Sequence, residues 1–98
     1  MRVVVTADAE TDLDDIFEFV ATQSVISAFG LVEKLRDKAL RVGHAPRAYV
    51  LRPQYGQDVR CAFFQSYAIL FQIARGQVEV LHFVHGARDL KSLFESKS

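Results

Sequence analysis

Tyr67-Ala68-Ile69-Leu70-Phe71-Gln72-Ile73-Ala74-Arg75-Gly76-Gln77-Val78-Glu79-Val80-Leu81-His82-Phe83-Val84-His85-Gly86-Ala87-Arg88-Asp89 is the stretch that decides the fold of this chain. Two apolar runs, Tyr67–Ile73 and Val78–Val84, flank the short gap Ala74-Arg75-Gly76-Gln77. A glycine-containing gap of this length between β-rich runs predicts a hairpin turn. Both runs are nearly continuous in apolar residues rather than strictly alternating, which predicts strands covered on both faces. Everything earlier in the chain is then expected to pack around them. The charged cluster at the exit falls where a buried strand meets solvent, a natural place for a functional group.

Working back from the hairpin, Val59–Gln65 reads as a further strand, joined to it by a tight turn at Gln65-Ser66. His44 to Asp58 carries both prolines and Gly56, and predicts a loop with a short extended piece at Ala48–Leu51. Ahead of it the period becomes helical. Val25, Ala28, Phe29, Val32, Leu35, Ala39 and Val42 form one stripe, with Ser24 as N-cap, Gly43 as a C′ residue and Pro46 preventing resumption. From Ala9 a first helix places Leu13, Ile16, Phe17 and Val20 on one side. Arg2–Thr6 is a β-branched run and predicts an opening strand. Beyond Asp89, Leu90, Leu93 and Phe94 fit one helical turn. The expected order is β-α-α-β-β-β, an α+β fold in which an N-terminal helical hairpin packs on a mainly antiparallel four-stranded sheet.

The chain has 98 residues, half of them apolar, which predicts one domain over 1–98 with a single core. Its apolar runs are too short to span a bilayer, and the start turns acidic by Asp8, so neither membrane segment nor signal peptide is expected. The lone Cys61 excludes an internal disulfide and fits a reducing, cytoplasmic setting. The net charge of zero hides a polarity. Residues 1–33 set Arg2 against seven acids (Asp8, Glu10, Asp12, Asp14, Asp15, Glu18, Glu33), a balance of −6. Residues 34–60 set seven bases (Lys34, Arg36, Lys38, Arg41, Arg47, Arg52, Arg60) against Asp37 and Asp58, a balance of +5. Two solvated helix faces of opposite sign account for this, and a docking site for a charged partner segment is the alternative. The acids of the first helix match its dipole and read as surface charge, since no histidine lies near them in sequence.

Few residues here carry chemistry. His85, Arg88 and Asp89 close the last strand; histidine titrates near neutrality and arginine holds phosphate or carboxylate bidentately. Together they suit phosphodiester cleavage, or alternatively an ion-paired lock on the strand end. Arg60 opens a neighbouring strand and reads either as an anion ligand or as one half of a structural ion pair with an acid on the helices. His82 lies mid-strand and is expected half-buried with one hydrogen bond, and Cys61 is expected to be a small core residue. No Walker loop, dinucleotide fingerprint, zinc spacing or nucleophile elbow is present, so no cofactor or metal is expected.

Taken together, these elements resemble the ParE branch of the ParE/RelE toxin superfamily of bacterial toxin–antitoxin modules. The resemblance covers almost the whole chain. It rests on Val5-Thr6, Ala9 and Asp12-Leu13-Asp14-Asp15-Ile16; on Leu35, Leu40 and Gly43-His44-Ala45-Pro46-Arg47; on Val59-Arg60; on Tyr67-Ala68-Ile69-Leu70-Phe71; and on Val78 through Asp89. The closing His-Gly-x-Arg-Asp after an apolar strand is its most specific part. ParE-like chains usually carry Phe-Pro and Gly-Arg before the tyrosine of the third strand, where this one has Ala62-Phe63-Phe64-Gln65-Ser66.

The resemblance implies a βααβββ fold and a ParD-like antitoxin partner in a hetero-oligomer. It also implies growth inhibition, by poisoning DNA gyrase in ParE-like members or by cutting mRNA on the ribosome in RelE-like ones. A ribonuclease must settle on RNA phosphates, yet between Ala62 and Gln77 the only base is Arg75. The gyrase reading is therefore preferred, with no direct nucleic-acid contact and no membrane partner. The alternatives are a RelE-like endoribonuclease using Arg60, His85 and Arg88, or an inactive member that only binds its antitoxin. Arg60, His85, Arg88 and Asp89 are the candidate target-binding residues. Phe29, Leu31, Phe63, Phe64 and Phe94 are the candidate antitoxin surface, to be completed by an amphipathic helix or strand.

Overall fold

In the computed structural model, which describes residues 1–86, the order is β1 (Val3–Val5), α1 (Ala7–Ala21), α2 (Val25–Val42), β2 (Arg60–Phe64), β3 (Tyr67–Ala74) and β4 (Gln77–His85). Each helix begins where a hydroxyl side chain meets an orphan amide. Thr6 accepts a hydrogen bond from the Ala9 amide, and Ser24 accepts one from the Ser27 amide. Asp8 and Glu10 fall in the first turn of α1 and Arg41 in the last turn of α2, each at the dipole-favoured end.

The strands form one sheet in the order β1-β4-β3-β2. β2 pairs antiparallel with β3 and β3 with β4, while β1 runs parallel to β4, Val3 opposite Val78 and Val5 opposite Val80. The register of β3 and β4 slips once, from Leu70 opposite His82 to Phe71 opposite Val80, leaving Leu81 as the extra residue of a bulge. The helices cover one face of the sheet. Ala9, Leu13, Leu35, Ala39 and Val42 meet Ala62, Ile69, Phe71, Val78, Val80 and Phe83 in the main core. A smaller cluster of Val59, Cys61, Ala68, Leu70 and Val84 lies on the other face, with Tyr55 and Leu81 against it. Residues Ala68–Phe71 are accordingly buried without a break, as the unbroken apolar run predicts.

Three local expectations change. Gly43 does not adopt a left-handed conformation; its φ is −61°. It is glycine because a Cβ there would lie 2.4 Å from the Met1 carbonyl oxygen and 2.8 Å from Val3 Cγ2, so the end of α2 and the first strand need the space. The segment at 46–58 holds two 3-10 turns that the sequence did not signal, Pro46–Ala48 and Pro53–Tyr55, on either side of the short extended piece expected at 48–51, where Tyr49 has extended backbone. Each starts on proline, whose fixed φ and missing amide suit a first helical position. Only Leu51 pairs with the sheet, opposite Arg60. Finally, the buried line of α2 is Ala28, Leu35, Ala39 and Val42, without Val25 and Phe29. Phe29 sits about 100° round the helix from Ala28, and its ring meets Phe17 of α1 edge-on at 4.8 Å.

Candidate functional site

The candidate target-binding residues lie at opposite ends of the sheet. Arg60 shares a cross-strand row with Phe71 and Val80, whereas His85 shares one with Tyr67 and Phe64. Those rows stand four residues apart on β2, roughly 13 Å along the strand. Both project to the helix side, since Phe64 and Tyr67 pack on the main core. The ring of His85 meets that of Tyr67 edge-on at 5.1 Å. Arg88 and Asp89, the end of the closing motif, lie outside the described residues, as do Leu90, Leu93 and Phe94.

Among the described residues Arg60 has no ion pair with an acid on the helices. Its guanidinium donates from Nη1 to the Tyr49 carbonyl oxygen at 2.6 Å and to that of Arg47 at 3.4 Å. It therefore braces the 46–58 segment against the sheet. The interhelical ion pair belongs to other residues. Arg36 Nη1 and Nη2 donate to Glu10 Oε1 and Oε2 at 2.6 and 2.9 Å, a bidentate fork joining α2 to α1. Hydrogen bonds from Arg36 hold the Glu10 carboxyl below the usual range, and Glu10 in turn raises Arg36.

A second acid of α1 also has a structural partner. Asp12 Oδ2 accepts from the Phe83 amide at 3.1 Å and from His82 Nδ1 at 2.9 Å. β1 ends at Val5, opposite Val80, so the Asp12 carboxylate takes over as acceptor for the edge of β4 beyond it. Thr6 performs the preceding step: its amide donates to the Val80 carbonyl oxygen at 3.1 Å, and its hydroxyl donates to the same oxygen at 2.8 Å. His82 is half-buried with this one side-chain bond, as expected, while Asp12 belongs to the fold rather than to a solvated acidic face.

Cys61 is buried, and burial pushes its thiol up, away from the thiolate that nucleophilic chemistry needs. Among the described residues no group of three or more His, Cys, Asp or Glu is placed to hold a metal ion. No helix among them is long and apolar enough to cross a membrane. Of the candidate antitoxin surface, Phe29 and Phe63 are well exposed, at 64% and 56%. Leu31 and Phe64 are partly buried against the main core. Phe19 and Ile26, which the sequence reading did not single out, are also exposed, Ile26 at 86%. Beside them an open groove is lined by Val20, Ser27, Gly30, Leu31, Lys34 and Gln65, between the helical hairpin and the β2–β3 turn. Single-residue periodicity does not reveal such a groove; the exposed end of the α2 stripe is its one trace in the sequence.

The described residues form an α+β fold, a helical hairpin laid over one face of a mixed four-stranded sheet. A solved structure of the chromosomal ParDE TA system from P. aeruginosa has the same fold, with a TM-score of 0.77 at 18% identity, over 88% of this chain and 96% of that one. No curated protein matches the chain. The family model of the ParE toxin of the type II toxin–antitoxin system parDE matches residues 3–90, and the chain belongs to that family.

Proposed function

We propose that the chain is the toxin of a type II toxin–antitoxin module that arrests growth by poisoning DNA gyrase, held inactive by a ParD-like antitoxin in the cytoplasm. The family match supports the first part. The observation that carries the choice of gyrase is the poverty of cation on the sheet. Strands β2, β3 and β4 contain a single lysine or arginine between them, Arg60, and it is engaged with the carbonyl oxygens of Tyr49 and Arg47. Cutting mRNA demands several cations that neutralise phosphate and the developing charge at the scissile bond. Trapping a gyrase–DNA intermediate demands only a complementary protein surface.

The antitoxin surface proposed here combines Phe29 and Leu31 on α2 with Phe63 and Phe64 on β2, with Phe94 as a further contributor. Target contact is assigned to Arg60, His85, Arg88 and Asp89. Purified protein with gyrase, ATP and plasmid should inhibit supercoiling and accumulate cleaved DNA, and stoichiometric antitoxin should reverse both. Cleaved mRNA in arrested cells without trapped gyrase would replace this reading with the ribonuclease. Growth unaffected by induction would leave an antitoxin-binding protein. Arg88→Ala should abolish arrest while His85→Ala only weakens it, because a poison needs the charge and loses a contact, not a proton transfer, with the histidine.

A further inference from the structure

At the end of the sheet where β2 begins, Arg47, Leu51, Asp58, Arg60 and Ile73 line an open pocket of about 180 Å³. Its two cations arrive by different routes. Arg60 reaches it from the strand and is oriented by its bonds to the Tyr49 and Arg47 carbonyl oxygens. Arg47 stands on the 3-10 turn Pro46–Ala48 and is exposed. Asp58 enters from the residue pair before β2, with a left-handed φ of 66°. Among the described residues neither the Arg47 guanidinium nor the Asp58 carboxylate forms an ion pair within the chain. We infer that this pocket is a binding site for a carboxylate side chain of an extended acidic–apolar segment of a partner protein.

Charge and shape both favour that occupant. Two guanidinium groups and one carboxylate leave the pocket with a single excess positive charge, matched to a monoanion. A dianionic phosphate would face Asp58 at close range. Leu51 and Ile73 supply an apolar wall, and Leu51 and Val50 are exposed at 44% and 61% beside it. No exposed aromatic ring lines the pocket to stack a base, as single-stranded nucleic acid would require. Among the described residues β2 is the last strand of the sheet, and the Leu51–Arg60 bridge is its one pairing on that side. A peptide extended past Arg60 therefore finds backbone partners next to the pocket. The site rests on the proposed function above, which assigns Arg60 to target contact, and it lies within the basic 34–60 region.

The full chain, labelled with nitrogen-15, is titrated with acetyl-Leu-Glu-Leu-Glu-Leu-amide, and with the same peptide carrying Gln for Glu. Resonances of Arg47, Asp58, Arg60 and Ile73 should shift with the Glu peptide and not with the Gln peptide. Arg47→Ala, an exposed residue whose loss spares the fold, should weaken binding about tenfold, the scale of one charge-assisted hydrogen bond. Asp58→Asn should tighten it about threefold by removing the opposing charge, since asparagine tolerates the left-handed conformation. That gain cannot arise from misfolding. Equal response to both peptides, shifts confined to other residues, or no change in either variant would overturn the proposal. So would tighter binding of oligothymidylate at the same residues. Growth arrest without any peptide response would remove the pocket and keep the toxin; a peptide response without arrest would do the opposite.

Discussion

Asp12 shows how a single side chain can serve an element remote from it in sequence. It ends the exposed edge of β4 by accepting from the Phe83 amide and from His82. Asp12→Ala should cost about 2–3 kcal/mol, because a partly buried amide loses its acceptor; His82→Ala should cost only about 1 kcal/mol. Urea unfolding of the two variants distinguishes them, and equal losses would show that the histidine bond alone matters. None of this was legible in the sequence, where Asp12 is one acid among several at a helix start and its partner lies 70 residues away. The Glu10–Arg36 pair behaves differently. Both side chains are more than 40% exposed, so solvent screening limits it to below about 1 kcal/mol. Because the Glu10 pKa is lowered on folding, its contribution is complete above the ordinary glutamate range and is lost as pH falls through the lowered value. Glu10→Gln should therefore narrow the stability difference between neutral and acidic pH, read from melting temperatures across that window.

The helices were legible as elements because caps and apolar spacing agree. Thr6 and Ser24 each accept from the amide three residues on, and Leu13, Leu35, Ala39 and Val42 are buried as their spacing requires. Segment 46–58 was not, since proline-led 3-10 turns leave no periodic signal, and the pocket they frame was invisible for the same reason. The candidate site was legible as single residues but not as a place. Chain order put Arg60 near the hairpin without showing that the pairing register sets it four residues from the row of His85. Two substitutions on α2 separate its inner and outer faces. Leu35→Ala, fully buried in the main core, should lose about 2–5 kcal/mol by calorimetry. Ile26→Asp, almost wholly exposed, should leave the melting temperature within a degree or two, in keeping with an effect of about ±0.5 kcal/mol or less. It should nonetheless weaken capture of the antitoxin if that partner covers the tip of the hairpin, and unchanged capture would move the interface elsewhere.

Across the whole molecule, the acidic opening third and the basic 34–60 region are held together by the Glu10–Arg36 fork, yet each keeps an exposed share of charge. Association with an acidic partner through the basic region should slow as salt rises, while dissociation changes little, a pattern measurable by stopped flow. The placement of β1 has a different kind of consequence. Its three residues are bound by β4, Val3 opposite Val78 and Val5 opposite Val80, so the two ends of the described chain are stitched side by side. Contacts this distant in sequence form late and make folding slow. A chain emerging from the ribosome has no neighbour for its first strand, no acceptor for Thr6 and no edge for Asp12 to complete until β4 has been made. Synthesis cut short before Val78 leaves the β2–β3 pair without the central strand that joins it to β1. The parallel pairing of β1 thus ties completion of the sheet to the last strand of the described chain.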